Sequence, residues 1–254
     1  FRGIIDDSQM NLLIDILYSH FPIFDSHEQF KFYITNPFNF FIDKISQVIK
    51  RVVQQAQIDM DIDFPVEYLA DKTMTLFLLM MKFPCIIISG PPNSGKTILV
   101  ELLSRALSEI VTDTDLINHY KGIMPMKMYT IYQNSNSWEE IFGTVEKHKE
   151  YGQVWTYGFF QTVLTNLNFF RSTHHRVLRF DGKITQKFSQ FLYQFVSEPH
   201  LFRINSLGSF IDDSSFHCLV ETDDISHLTP DLLSACGLLS LSNVQTTNGL
   251  VKAL

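Results

Sequence analysis

An eight-residue stretch near position 90 constrains the fold of this chain more than any other part of its sequence. Residues 90–97 read Gly-Pro-Pro-Asn-Ser-Gly-Lys-Thr and fit the pattern G-x-x-x-x-G-K-[ST]. The apolar residues 85–89 before the stretch are typical of a short buried strand, and residues 98–107 after it are typical of a helix. Because a phosphate-binding loop joins a strand to a helix in this way, the context favours such a loop over a chance match.

Each position of this loop has a physical role in holding phosphate groups. The glycines let the backbone approach the phosphates, while successive N–H groups and the positive end of the helix dipole attract them. Lys96 would supply a charge to the β- and γ-phosphates, and Thr97 an oxygen for Mg²⁺. A glycine turn that binds nothing is the alternative, but it gives no structural reason for the lysine and the threonine. The predicted nucleotide-binding residues are Gly90, Pro91, Pro92, Asn93, Ser94, Gly95, Lys96 and Thr97, with Asp181 added below.

Composition excludes several other classes of function. The 254 residues are 45% apolar, enough for a sizeable core, and carry a net charge of −7 without a run of Lys or Arg, so nucleic-acid binding is not expected. No apolar run reaches the roughly 18 residues of a membrane span. Cys85, Cys218 and Cys236 lack CxxC spacing and are predicted to be buried thiols in a reducing compartment, neither disulfides nor zinc ligands. His174-His175 is predicted to be a solvated loop pair, and the lack of an initiator Met predicts a fragment of a longer chain.

Helical periodicity dominates the first eighty residues. Helices are predicted over residues 8–20, 38–57 and 66–81, and the segment 59–65, with three Asp and a Pro, interrupts the pattern. The predicted organisation is an N-terminal helical segment over residues 1–60, an α/β nucleotide-binding core over residues 61–245, and the start of a following segment over residues 246–254.

Beyond the loop, short apolar segments alternate with helical ones. Strands are predicted over residues 85–89, 128–132, 177–181 and 216–221, with shorter strands within 201–210. Helices are predicted after residues 136–137, over 155–170 and over 184–196. This alternation predicts an α/β fold of the P-loop NTPase class, with a parallel sheet covered on both faces by helices.

A second nucleotide motif is predicted at the end of the strand over residues 177–181. Asp181 could hold Mg²⁺ together with the hydroxyl of Thr97, although an ordinary strand-end turn is the alternative. Gly182 stands where hydrolysing proteins carry a glutamate base, and Lys183 is protonated at neutral pH. Hydrolysis should therefore be slow or absent. Arg179 inside the strand is unusual, because a buried arginine needs a partner.

Two further parts of a hydrolytic site are weak or missing in the sequence. Glu221 or Thr222 occupies the strand end where a polar residue would sense the γ-phosphate, but Glu221 would repel phosphate unless a cation intervened. A plain strand-end polar residue is an equal alternative. The segment 225–237, where an arginine finger for a neighbouring subunit would be expected, contains no arginine.

The spacing of these motifs from about residue 8 to residue 245 resembles the second AAA+ module of dynein heavy chains. The resemblance is carried by the stretches 15–22, 90–97, 141–160, 180–196 and 220–238. Its most specific elements are Trp-Thr-x-Gly at residues 155–158 and Thr-Pro followed by Cys-Gly at residues 229–237. The Asp-Gly pair at residues 181–182, in place of Asp-Glu, is itself a trait of the family.

The chain departs from the family pattern at several positions. Ala235 replaces the arginine that precedes Cys-Gly in the family, which puts in doubt a role in hydrolysis at the adjacent module. The residues at 133–135, Lys183 and 197–200 also differ from the family motifs. These departures indicate a divergent heavy chain, and the resemblance implies one of the axonemal kind.

The resemblance implies a role within a larger motor. The parent would be a microtubule-based motor with six modules in a ring, and this module would bind ATP or ADP with Mg²⁺ as a lasting structural ligand. Implied partners are the neighbouring AAA+ modules, dynein intermediate and light chains and microtubules, in the cytoplasm, the cytoskeleton and the axoneme of cilia. The alternatives are a free-standing P-loop ATPase and a ring spacer that binds no nucleotide.

Overall fold

A computed structural model of the protein describes residues 27–60, 62, 64–113, 123–170, 173–197, 201–205, 208–211 and 216–242. The predicted helix over 8–20 and the predicted segment over 246–254 lie outside the described residues. Numbered in chain order, the elements are α1 (His27–Met60), α2 (Val66–Lys82), β1 (Cys85–Ser89), α3 (Lys96–Thr112), β2 (Met126–Tyr132), α4 (Trp138–Phe142), β3 (Gly143–His148), β4 (Gly152–Tyr157), α5 (Phe159–Asn168), β5 (His175–Asp181), α6 (Gln186–Ser197), β6 (Leu201–Asn205), β7 (Gly208–Ile211), β8 (Phe216–Thr222), α7 (Pro230–Ala235) and β9 (Gly237–Ser240).

The central sheet of the described residues has five parallel strands in the order β2-β5-β8-β1-β9. On β1, Ile87 lies opposite Val220 of β8 and Leu238 of β9. On β5, Asp181 lies opposite Glu221 of β8. The carboxyl ends of β1, β5 and β8 therefore meet at one edge of the sheet, where ligands of such folds bind. The four predicted core strands are confirmed, while β9 has no counterpart among the predictions.

Helices cover both faces of this sheet, as the sequence predicts. Alternate residues of β1 divide between the faces: Ile86 and Ile88 pack with α1, α2 and α3, whereas Cys85 and Ile87 pack with α4 to α7. Because both faces are covered, β1 is a continuous apolar run without alternation. Among the described residues, no helix combines the length and the apolar character that crossing a bilayer requires.

The second half of α1 belongs to the same core as the loop helix α3. Its buried side chains share one cluster with those of α2 and α3, and they include Ile45, Ile49, Val52, Val53 and Ala56. At the surface of this contact, Arg51 of α1 forms an ion pair of 3.0 Å with Glu109 of α3. The helix thus packs against the element that begins at the end of the loop of residues 90–97. The predicted division of the chain at residue 60 stays a prediction.

The helix predicted over residues 155–170 is wrong in its first part. Residues 152–157 form β4, which pairs antiparallel with β3, and α5 begins only at Phe159. The sequence of β4 is rich in the β-branched and aromatic residues that favour strands. At Gly158 a Cβ would lie 2.3 Å from the carbonyl oxygen of Ile141, so only glycine fits between the hairpin and α5. The Trp-Thr-x-Gly motif is therefore a strand followed by a close backbone approach.

The prediction of a solvated His174-His175 loop pair is also wrong for its second member. His175 begins β5 and pairs with Met126 of β2. Its ring lies edge-on to that of His217 in β8, with 5.9 Å between the ring centroids. Two histidines thus lie on neighbouring strands at the amino-terminal edge of the sheet, away from the loop of residues 90–97.

Candidate nucleotide site

The loop between β1 and α3 combines left-handed backbone with the start of a helix. Asn93 has a φ of 62° and Gly95 a φ of 88°, a region that asparagine and glycine tolerate best. Left-handed residues in a turn produce concave arrangements of N–H groups that bind anions, and α3 adds the free N–H groups of its first turn from Lys96 onward. The hydroxyl of Ser94 is buried and has no hydrogen-bond partner among the described residues. The loop therefore fits a bound phosphate group.

Phe64, between α1 and α2, also packs against this loop. The ring of Phe64 lies 3.4 Å from the place that a Cβ of Gly95 would take. The side chain of Gln57 donates a hydrogen bond to the carbonyl oxygen of Phe64 and so ties the segment to the end of α1. The sequence indicates only a break in helical periodicity here. The contact with the loop depends on how α1 folds back on the core, which no local pattern shows.

The ammonium group of Lys96 lies over the loop that precedes it. Nζ donates hydrogen bonds to the carbonyl oxygens of Gly90 at 2.6 Å and of Pro91 at 2.8 Å. An ammonium carries three donors, so this arrangement leaves one for a further acceptor. The charge therefore lies directly beside the concave face at which a phosphate would bind.

Arg179 and Glu221 form a buried ion pair at the carboxyl edge of the sheet. Arg179 Nε donates to Glu221 Oε1 at 2.6 Å and Nη2 to Oε2 at 3.1 Å, a bidentate arrangement. The two residues are only 7% and 1% exposed. Because each charge is desolvated, each depends on the other for its stability. The partner that the sequence demanded for Arg179 is thus on the neighbouring strand.

This ion pair reaches the last residue of the phosphate loop. The hydroxyl of Thr97 donates to Glu221 Oε2 at 2.9 Å and accepts from Arg179 Nη2 at 3.1 Å. Glu221 is therefore the strand-end residue that faces the loop, and Arg179 is the cation that separates its charge from an incoming phosphate. The hydroxyl of Thr222 instead donates a hydrogen bond to the carbonyl oxygen of Asp224 at 2.9 Å.

The contacts around Thr97 do not fit a magnesium ion held by Thr97 and Asp181. Magnesium requires near-octahedral oxygen ligands at about 2.0–2.1 Å. Here the hydroxyl of Thr97 is engaged with Glu221 and Arg179, and Asp181 Oδ2 lies 3.8 Å from the Arg179 guanidinium. The described residues contain no cluster of three His, Cys, Asp or Glu side chains able to hold a metal. One guanidinium nitrogen thus lies 3.1 Å from Thr97 Oγ1 and 3.8 Å from Asp181 Oδ2, the two predicted metal ligands.

Gly182 has a backbone conformation that resists a side chain. Its φ of 148° is one that L-residues rarely adopt, and a Cβ would lie 3.0 Å from the Cβ of Gln133 and 3.2 Å from Asn134 Oδ1. A glutamate at this position would require both strain and displacement of the turn after β2. The geometry thus gives a physical reason for glycine where hydrolysing relatives of the fold carry the base.

The Thr-Pro…Cys-Gly stretch has a structural explanation in this fold. Thr229 caps α7 by accepting a backbone hydrogen bond with its hydroxyl, and Ala235 ends the helix. Cys236 then packs beside Cys85 and Cys218 between the sheet and α7. All three cysteines are free and buried, and hydrogen bonding to Cys218 together with burial raises the pKa of the Cys85 thiol. The motif therefore fixes the start of β9 next to the loop strand.

Comparisons with known proteins point in one direction. No family model matches the chain. In an alignment that spans 174 residues and covers 66% of the chain, the chain is 24% identical to the dynein-1-alpha heavy chain of the flagellar inner arm I1 complex of Chlamydomonas reinhardtii. This similarity supports a relationship to dynein heavy chains. It does not single out a module of the dynein motor, since the match covers only 3% of that long protein.

Proposed function

We propose that this chain is a nucleotide-binding module of a dynein-related motor, and that it retains its nucleotide without efficient hydrolysis. The observation that carries the proposal is the loop of residues 90–97, whose left-handed turn, helix start and lysine together suit a phosphate group. The parallel sheet order and the similarity to a flagellar dynein support the same reading. The finer assignment, to the second AAA+ module, rests on the motif spacing alone.

In this proposal both the backbone and the side chains of the loop contribute to the binding of ATP or ADP. Backbone N–H groups of Asn93 and Gly95 and those at the amino terminus of α3 hold the phosphates, while Lys96 turns from its carbonyl partners toward them. The nucleotide supplies binding energy that stabilises the folded module. Gly182 leaves the site without the side chain that would activate water. The expected outcome is therefore retention of the ligand.

At the level of the parent protein the proposal is broader. The module would belong to a minus-end-directed microtubule motor, with neighbouring AAA+ modules, dynein intermediate and light chains and microtubules as partners. Its place would be the cytoskeleton of the cytoplasm, and the axoneme of cilia in particular. What supports these statements is the similarity to a flagellar inner-arm heavy chain, of which the matched part covers only 3%.

Thermal unfolding of the purified protein tests nucleotide binding. At a ligand concentration of about 100 times Kd, ATP or ADP should stabilise the protein by about 2.7 kcal/mol and raise Tm by several degrees. Lys96→Ala should abolish most of this shift, because it removes the charge beside the loop. Lys183→Ala, outside the loop, should keep it. Absence of any shift at millimolar nucleotide would favour the ring spacer that binds no nucleotide.

Steady-state turnover separates retention from the free-standing ATPase. We expect hydrolysis by the wild-type protein to stay near background. Appreciable hydrolysis that Lys96→Ala abolishes would show that a base comes from elsewhere, and the retention proposal would be abandoned.

A further inference from the structure

We propose that Arg179 takes the place of magnesium at this site, so that the protein binds the polyphosphate of its nucleotide free of metal. The inference rests on the proposed function, since it specifies the form in which the nucleotide binds. It departs from the sequence prediction that Thr97 and Asp181 hold Mg²⁺. Its starting point is the position of the guanidinium, which contacts the first of these residues and lies near the second.

The guanidinium lies where the metal ligands converge. Arg179 Nη2 is 3.1 Å from Thr97 Oγ1 and 3.8 Å from Asp181 Oδ2. A magnesium ion bound to Thr97 at about 2.0–2.1 Å would be within a few ångströms of this permanent positive charge. The ion and the guanidinium repel each other, so the guanidinium disfavours a metal ion bound to Thr97.

The fold holds the guanidinium in this position. Arg179 belongs to β5, which lies between β2 and β8, so backbone pairing on both sides fixes its Cα. The bidentate pair with Glu221 fixes the guanidinium group of Arg179, and both residues are almost fully buried. For a metal to enter, the arginine would have to leave a buried carboxylate, and magnesium would have to lose part of a hydration shell that it gives up reluctantly.

The donors of the cluster suit a phosphate ligand without a metal. The four charges of Arg179, Lys96, Glu221 and Asp181 sum to zero, so the attraction is local: it comes from the ammonium of Lys96, which lies directly over the loop. Within the described part of the chain, the hydrogen bonds of the guanidinium use Nε and Nη2, which leaves the two donors of Nη1 for an acceptor. The planar fork of arginine matches phosphate oxygens well. Arg179 is thus proposed as a residue that determines which form of the nucleotide binds.

Equilibrium binding of ATP by calorimetry, with EDTA and with excess Mg²⁺, tests the inference. A site that excludes the metal must strip it from the Mg·ATP complex. We therefore expect excess Mg²⁺ to weaken binding by the wild-type protein by about tenfold or more. Binding that is unchanged or tighter in Mg²⁺ would overturn the inference while leaving nucleotide binding established. No ATP binding in either condition would overturn the proposed function, and the inference with it.

A charge-balanced variant sharpens this test. Arg179→Leu combined with Glu221→Gln removes both charges together, so no buried ion is left unpaired. This double variant should reverse the sign of the effect and bind ATP more tightly in Mg²⁺ than in EDTA. Arg105→Leu, which removes an arginine on the surface of α3 paired with Glu101, should behave like the wild type. Should the double variant fail to fold by circular dichroism, the wild-type comparison alone still decides.

Discussion

Arg179 lies in a strand whose neighbouring side chains are apolar, and its charge is tolerated there because Glu221 faces it from β8. The pair joins three elements, since Thr97 at the start of α3 bonds to both side chains. Its contribution to stability follows from burial: removal of one partner leaves the other charged and desolvated, whereas removal of both leaves neither.

A double-mutant cycle measures this coupling. Arg179→Leu or Glu221→Gln alone should lower the free energy of unfolding by about 3–5 kcal/mol, because each leaves an uncompensated buried charge. The double variant should lose clearly less than the sum of the two single losses. Urea denaturation gives the three values. Additive losses would mean that the two side chains act independently, contrary to the bidentate geometry.

At the scale of elements, the hairpin β3–β4 and helix α5 meet at a position without room for a side chain. Gly158 follows β4 and precedes α5, and its backbone lies against Ile141 and Glu140 of α4. The close approach lets Phe142 and Phe160 pack with 5.0 Å between their ring centroids. The hairpin is thereby anchored to the aromatic core below the sheet.

Gly158→Ala should be destabilising for this reason. The added Cβ would meet the carbonyl oxygen of Ile141 at 2.3 Å, so the backbone must shift, at a cost of about 1–3 kcal/mol. Chemical denaturation compared with the wild type measures the loss. Gln153→Ala, at an exposed position of β4, serves as the matched control and should change stability by less than about 0.5 kcal/mol. Equal effects of the two substitutions would contradict the packing argument.

At the scale of the whole molecule, two partly buried histidines make the stability of the fold depend on pH. Burial, and the nearby His175, lower the pKa of His217 to about 4, and burial also lowers the pKa of His175. Both imidazoles are therefore neutral in the folded state near neutral pH, whereas in the unfolded chain they bind protons near pH 6.5. Their stabilising effect is fully present above pH 6.5 and is lost as the pH falls toward 4.

The expected loss from His217 alone is about 3 kcal/mol between pH 6.5 and 4. Urea denaturation at a series of pH values measures it. His217→Gln should flatten this part of the pH profile, because glutamine does not titrate. His148→Gln, at an exposed position of β3, should leave the profile unchanged. A profile of His217→Gln as steep as that of the wild type would assign the acid sensitivity to other groups.

Much of the fold was within reach of sequence analysis, because its signals are local. The apolar run 85–89 followed by a glycine loop predicts β1 and α3, and the strands β2, β5 and β8 lie where apolar runs end in polar residues. The hairpin β3–β4 was missed because residues 155–170 suit a helix about as well as a strand and a helix in succession. Only the pairing of β4 with β3 decides between them.

The sequence by itself indicated the conformation of the loop of residues 90–97 and the glycine at position 182, since both depend on which residues are adjacent in the chain. It also indicated that Arg179 needed a partner and that Glu221 needed a cation. It did not indicate that these two residues pair with each other. Only the tertiary structure decided this, because the pair spans 42 residues and depends on β5 and β8 being neighbours. The same placement of strands put a guanidinium where a metal ion was predicted.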